Sequence, residues 1–394
     1  MAGTKQGTWV AWLITIGMLW AGPTSAAGDW VVAQVASFTG TSAQIGNDLR
    51  TGAMVAFNAI NARGGVAGRK LRLVVRDDEQ QPDKALAAIR ALVEQTKPIA
   101  LFGLSSNEAS LALLQARLPE ALGLPLVGPR AGVARVLESG PGQVFVTRAS
   151  YRDEIKALFQ HCEMSGMREL VLVHQRDEVG SELLALANAL AAQHGIRLVA
   201  RVAYDYKANG AVRELPNVRD AIDAAFRVPH QAVLFAVTDP TLVAAMVASY
   251  QRDPRHAVMM TLSSADGRWI AERVGSDRAR GLLVTQTVPA AGNASAALMR
   301  RFVNDLKQGG VSEDDAAALT VNSVMLEGYV SAQVLIEGLR RAGSNADAAR
   351  LGAALQGLRG FDIGGFDISF GGASRQGSRF VEVAIIGRQG ELVR

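Results

Sequence analysis

The sequence predicts an α/β protein made of two doubly wound, parallel-sheet lobes. Three observations carry that prediction. From Trp30 onward short apolar runs alternate with longer helical stretches; near residue 150 the alternation starts again as if from one; and the strand-like runs end in short polar loops rich in Gly and Ser. Alternation of this kind marks a parallel sheet with helices on its faces. A chain of 394 residues has the length for two lobes, with cores large enough to fold without disulfides.

The N-terminal segment stands apart from the fold. Lys5 gives a weakly basic start, residues 9–21 form an apolar run too short to span a bilayer comfortably, and Gly22-Pro23-Thr24-Ser25-Ala26-Ala27 ends in small residues. These are the three parts of a secretory signal, residues 1–27, expected to be cleaved after Ala26 or Ala27 and to leave a soluble exported protein. The single cysteine, Cys162, excludes an intrachain disulfide, and none lies near the cleavage point to carry a lipid. A net charge of +4 with both signs interspersed gives no basic patch for nucleic acid.

The elements follow in order. Residues 31–35 read as a buried strand, then comes the loop Ser37-Phe38-Thr39-Gly40-Thr41-Ser42 and a helix with Leu49, Ala53, Ala56 and Ile60 at helical spacing, stopped by Gly64-Gly65. A strand at 71–75, a helix at 83–95 and a strand at 99–102 lead to Gly103-Leu104-Ser105-Ser106-Asn107 and a helix carrying Leu111, Leu114 and Leu118. A fourth strand at 125–127 runs into Gly128-Pro129-Arg130-Ala131-Gly132, and 144–146 runs into Arg148-Ala149-Ser150-Tyr151. The count then restarts, with strands at 170–173, 197–203 and 232–237 alternating with helices at 179–193, 218–226 and 242–250. A strand at 282–288, helices at 296–307, 316–341 and 351–358, and tail strands at 366–370 and 380–386 complete the chain.

Enzymatic signatures are missing from this scaffold. Gly64 to Lys70 lacks the Lys-Ser/Thr pair of a phosphate loop and leads into a strand where such a loop needs a helix. There is no GxSxG, no HExxH and no cysteine pair, and the five histidines show no metal-ligand spacing. His161 and Cys162 are helix neighbours about 100° apart and cannot meet as base and nucleophile. Asp77-Asp78-Glu79 reads as a solvated acidic turn rather than a cation site. Neither a metal nor a cofactor is expected.

What remains are polar loops after strands, the edge at which open α/β sheets bind ligands. The turn Gly103 to Asn107 presents hydroxyls and free backbone N–H groups at a positive helix terminus, a setting for a carboxylate. Either serine can instead cap its own helix, and one can do the first while its neighbour does the second.

With these loops in view, the chain resembles the leucine/isoleucine/valine-binding protein family of ABC transporters, the type I periplasmic binding proteins. The residues that carry the resemblance are Phe38-Thr39-Gly40, the segment from Ala59 to Lys70 followed by Asp77-Asp78, the Gly-Leu-Ser-Ser turn at 103–106, and Pro125-Leu126-Val127-Gly128-Pro129. A branch of unassigned ligand is also similar at Arg148-Ala149-Ser150-Tyr151, at Leu326-Glu327-Gly328-Tyr329 and at Gln376-Gly377-Ser378-Arg379-Phe380. The resemblance implies two lobes joined by a three-segment hinge, with lobe 1 at 28–147 plus 290–355, lobe 2 at 148–289 plus 356–394, and the ligand between them.

It also implies the site. Ser105, Ser106 and Asn107, with Arg130, Ala131 and Gly132, map onto loops that hold a ligand carboxylate, and Ile45 onto the position that shapes the side-chain pocket. In the second lobe Val179 stands where an aromatic often precedes Gly, and Thr238-Asp239 stand where the amino-acid binders have tyrosines; Asp239 or Asp266 would pair with an ammonium group. Arg130 either pairs with a carboxylate in the cleft or sits on the hinge side, and Tyr151 with Arg148 either touches ligand or braces the first crossover. The function implied is that of a non-enzymatic, monomeric periplasmic solute-binding protein serving an ABC permease of the inner membrane, with an amino acid or organic acid as ligand. A periplasmic sensor on the same fold is the alternative. A hydrolase built on Ser105 lacks a positioned base, and a repressor lacks a DNA-binding helix pair.

Overall fold

The first sheet is built from strands that alternate their side chains between two helical layers. Trp30–Ala36 (β1) sends Trp30 and Val32 to one core and Ala33 and Val35 to the other. It is followed by Ala43–Ala62 (α1), Leu71–Asp77 (β2), Pro82–Thr96 (α2), Ala100–Phe102 (β3), Asn107–Gln115 (α3), Leu118–Leu122 (α4), Leu126–Val127 (β4), Ala134–Glu138 (α5) and Val144–Phe145 (β5). The five strands are parallel in the order β2-β1-β3-β4-β5. These coordinates are a computed structural model that describes residues 28–138, 143–204, 208–209, 212–213, 218–225, 227–250, 257–289, 296–312, 314–315, 319–371 and 374–393. The expected signal at 1–27 lies outside the described residues.

The second sheet repeats the plan. Tyr151–Met164 (α6), Glu169–Gln175 (β6), Glu178–Gln193 (α7) and Arg197–Tyr204 (β7) lead to the small hairpin Ala208–Asn209 (β8) and Val212–Arg213 (β9). Val218–Ala225 (α8), Ala232–Ala236 (β10), Pro240–Tyr250 (α9), Val258–Thr261 (β11), Gly267–Val274 (α10), Ser276–Ala279 (α11) and Leu283–Gln286 (β12) follow. Strands β7, β6, β10, β11 and β12 are parallel, and two antiparallel strands from the tail, Glu382–Ile386 (β15) and Leu392–Val393 (β16), extend the β12 edge. Helices α6 and α7 cover one face, α8, α9 and α10 the other.

Between β12 and β15 the chain returns to the first lobe. Ala297–Gln308 (α12) and Ser323–Ala342 (α13) pack on α1, and Ala348–Gln356 (α14) packs on α13. The hairpin Phe361–Asp362 (β13) and Asp367–Ile368 (β14) buries Phe366, Ile368 and Phe370 in the same core as Trp30 and Phe57. These three residues lie beyond 355, where the sequence reading ended lobe 1.

Several expected elements shift for local reasons. The helix expected at 316–341 begins at Ser323, where the Asn322 side chain accepts the Met325 amide, and the one expected at 351–358 begins at Ala348 under an Asp347 cap. The sequence reading passed over β11, whose four residues are too short and methionine-rich to stand out, and over α4, α5, α10 and α11. Among the described residues no helix is long and apolar enough to cross a membrane, and no group of three or more side chains has the makings of a metal site.

Candidate functional site

Each parallel sheet has one place where strand order reverses direction, between β1 and β3 in the first and between β6 and β10 in the second. Loops diverge there and leave a crevice at the carboxyl edge. The two crevices face each other, and the cleft between them is nearly shut, with a cavity of about 30 Å³. From the first lobe it is lined by Ser37 and Ser42 after β1, by Ile45 in the first turn of α1, by Gln80, by Ser105 and Ser106 after β3, by Asn107 and Glu108 at the start of α3 and by Arg130; Tyr151, Thr238, Asp239, Pro240 and Ser264 complete the wall.

Two glycines let the loops come this close. A Cβ on Gly46, in the first turn of α1, would lie 2.1 Å from the Ser37 carbonyl oxygen, and one on Gly180, in α7, would lie 1.8 Å from the Gln175 carbonyl oxygen. The same device therefore seats the helix that follows β1 in one lobe and β6 in the other against the end of that strand. The acidic turn then staples the first-lobe loop. Asp77 accepts the Phe38 and Glu79 amides and the Thr39 hydroxyl, and Asp78 accepts the Ser37 hydroxyl at 2.8 Å and the Gln80 amide at 2.8 Å. Burial alone would raise the Asp77 carboxyl, but these bonds outweigh it and hold its pKa below the ordinary value. For Asp78 burial wins and its pKa is raised. The turn expected to be merely solvated is thus a structural clamp, because Ala36 and Asp77 are register partners at the ends of β1 and β2.

The two serines divide their roles. Ser106 caps α3 by accepting the Ala109 amide, while Ser105 accepts the Ser37 amide at 3.0 Å and stands buried in the wall. Asn107 braces the wall from behind: its Nδ2 donates to the Tyr151 hydroxyl at 2.9 Å and its Oδ1 accepts the Gly132 amide. Burial pushes the Tyr151 phenol up to about 12, so it stays neutral at physiological pH. Ala131 and Gly132 do not line the cleft. Gly132 lies against the Tyr151 ring, where a Cβ would come within 2.9 Å, and Ala131 is buried in the core.

Opposite, the Thr238 amide and hydroxyl donate to Gln175 Oε1, and Gln175 in turn donates to Asp177, the cap of α7. Asp239 caps α9 through the Thr241 amide at 2.8 Å and faces the cleft. Asp266 lines an adjoining cavity of about 20 Å³ with Asp48 and Trp269, where it caps α10 and accepts the Ser323 hydroxyl. Val179 turns into the lobe core and lines neither space, since it sits on the inner face of the first turn of α7.

Arg130 is 5% exposed and already engaged. Its Nη2 donates to the Ser263 carbonyl at 2.6 Å, its Nη1 to the Ser264 carbonyl at 3.3 Å, and its Nε lies 3.3 Å from Glu327 Oε2. Arg148 is buried beside it, 2.9 Å from Glu154 Oε1 and 3.6 Å from Glu327 Oε2; burial would lower its pKa, but the two carboxylates outweigh it and raise it. Of the twelve residues read from the sequence, Ile45, Ser105, Ser106, Asn107, Arg130, Tyr151, Thr238 and Asp239 line one cleft. Ser37, Ser42, Gln80, Glu108, Pro240 and Ser264 were missed; Ser37, the first polar residue after β1, is the one that the reversal of strand order would have singled out.

Known proteins share this fold. A family model described as periplasmic binding protein matches residues 30–390. An amino acid binding protein of Pseudomonas aeruginosa is 28% identical over 179 residues, and the match spans 45% of this chain and 47% of that relative, under half the length of either. A substrate-binding periplasmic protein from Ralstonia solanacearum superposes with a TM-score of 0.83 at 28% identity, covering 93% of this chain and 99% of that one. Two further structures share the fold: a branched-chain amino acid transporter substrate-binding protein from Streptococcus pneumoniae in complex with isoleucine (TM-score 0.76, 14% identity, 93% and 98% covered) and an ABC transporter solute-binding protein from R. palustris in complex with benzoate (TM-score 0.77, 17% identity, 93% and 95% covered).

Proposed function

The chain belongs to the periplasmic binding protein family, and from that premise we propose that it is the solute-binding component of an ABC importer, closing by a hinge around a small amino acid or other carboxylate-bearing molecule. The observation that carries the reading is the meeting of two strand-order reversals in one cleft, with Ser105 and the first turn of α3 on one wall and Thr238-Asp239 on the other. Hydroxyls and amides at a helix N-terminus suit a carboxylate, and Asp239 suits an ammonium or hydroxyl donor. Asp239 is favoured over Asp266 for that role because it shares the cleft with Ser105. The family is one of binding proteins, not enzymes. Fold relatives solved with isoleucine and with benzoate both hold carboxylates, which supports the chemical class rather than one ligand.

The proposal includes the route and the division of the chain. Residues 1–27 act as a cleaved signal, the mature monomer works in the periplasm, and an inner-membrane permease reads the closed form. Lobe 1 takes 28–147 and 290–355 and lobe 2 takes 148–289 and 356–394; the packing of β13 and β14 in the first lobe's core supports extending lobe 1 past 355. The test is thermal unfolding against a panel of amino acids, aromatic acids and dicarboxylates. A ligand at 100 times its Kd adds about 2.7 kcal/mol, which raises Tm by roughly 5–10 °C for a lobe of this size. A panel that moves Tm nowhere sinks the proposal.

A further inference from the structure

The lobes are held together across the cleft by the protein's own groups. Arg130, in the loop after β4, reaches to the loop after β11 and donates to two successive backbone carbonyls, Ser263 and Ser264. Its Nε edge faces the Glu327 carboxylate on α13, an ion pair 3.3 Å apart, and the other Glu327 oxygen accepts the Thr287 hydroxyl at 3.2 Å. Farther along the same seam the Ser323 hydroxyl at the start of α13 donates to Asp266 of the opposite lobe.

We propose that Arg130, positioned by Glu327, is a latch that closes the cleft without ligand. A guanidinium is a planar fork with five N–H donors, so a carboxylate along one edge fixes where the remaining donors point. Here they point at carbonyls of the other lobe. Opening the hinge strips those bonds from Arg130 and leaves its charge with Glu327 alone. The acceptors are backbone atoms, which neither titrate nor swing away, so the grip depends on the placement of Arg130. With its donors committed to the opposite lobe, Arg130 serves closure and leaves the anion to Ser105 and the α3 terminus. A protein latched in this way keeps a closed population before ligand arrives, and ligand then shifts a balance already tilted toward closure. The inference rests on the reading of this cleft as the hinge-closing ligand site.

The experiment needs no ligand. Nitroxide labels at Asn47→Cys on α1 and Glu272→Cys on α10, both exposed and on opposite sides of the cleft, report the distribution of distances between lobes; Cys162 is buried and stays unlabelled. The latch predicts a substantial short-distance population in the ligand-free protein. It also predicts at least a tenfold fall in the short-to-long ratio in the charge-balanced Arg130→Gln/Glu327→Gln variant. Arg130→Lys, which keeps the charge beside Glu327 but loses the fork, must fall in the same direction, and it serves where the double variant fails to fold. A ligand-free protein found only at the long distance, or variants with an unchanged ratio, overturns the latch. Because no ligand enters, a silent ligand panel leaves this result standing, and a failed latch leaves ligand binding standing.

Discussion

Glu154→Gln tests the energetic reading of the hinge. Glu154 is wholly buried on α6 and makes three contacts: Oε1 with Arg148 Nη2 at 2.9 Å, and Oε2 with the Ser263 amide at 2.8 Å and with the Thr285 hydroxyl. The amide side chain is nearly the same size, but it removes the charge and turns one NH2 toward groups that donate. Of its carboxylate partners Arg148 then keeps the more distant Glu327, which it shares with Arg130. Breaking a buried ion pair on one side costs about 3–5 kcal/mol. At about 2–4 °C per kcal/mol for a lobe of 150–250 residues, Tm should fall by roughly 6–20 °C. The control is Glu178→Gln, which breaks the Arg135–Glu178 pair at 3.2 Å; both partners are more than half exposed, and such a pair is worth about 0–1 kcal/mol. Calorimetry on the two variants reads the contrast. Equal small shifts would refute the claim that the buried network, rather than the count of ion pairs, stabilises the hinge.

Three further outcomes follow from the same coordinates. Burial holds the Asp48 and Asp78 carboxyls above their ordinary pKa, so the folded state binds those protons more tightly than the unfolded chain; their contribution is fully present at low pH and is lost as pH rises from about 3.9 through the raised folded value. An Asp48→Asn/Asp78→Asn variant should lack that component of the Tm–pH curve, and superimposable curves would count against it. Gly46→Ala and Gly180→Ala each force a methyl against a backbone carbonyl and should cost about 1–3 kcal/mol by chemical denaturation; either variant at wild-type stability would show that the seats are looser than drawn. Val179→Ala should lower stability by about 1–2 kcal/mol and leave ligand affinity unchanged by calorimetric titration, since Val179 lies in the core and outside the cleft.

The βα alternation made both lobes legible, because a buried parallel strand must be an apolar run and its helix must show the helical period. The tail was not legible in the same way. Phe366 and Phe370 read as strand residues of the second lobe, yet they fill the first lobe's core; an apolar side chain specifies burial without specifying which core receives it. Loop positions were readable for a different reason. Ser105, Thr238 and Asp239 follow strands, and strand ends at a reversal of order are where crevices open, whatever the side chains. Partnerships were out of reach. Nothing in the neighbours of Arg130 announces Ser263, Ser264 or Glu327, which lie 133 or more positions away in the chain.

That loss of foresight bears on what the cleft can bind. Read from the sequence alone, Arg130 either offers the cleft a cation, which argues for a ligand that is simply an acid, or sits on the hinge side. In the folded protein Arg130 and Arg148 are balanced by Glu327 and Glu154, so the hinge network is neutral within itself. Glu108 and Asp239 also line the cleft, and the wall proposed to accept an anion is made of the Ser105 hydroxyl and a helix terminus. Neutral donors hold one carboxylate well but offset little additional negative charge. A molecule with one carboxylate and a donor group near it fits that balance, whereas a dicarboxylate would bring its second charge toward Asp239. Within the ligand panel, then, monocarboxylates bearing an amine or hydroxyl should raise Tm more than dicarboxylates of similar size, and the reverse order would mean that Arg130 releases its lobe contacts to meet the ligand.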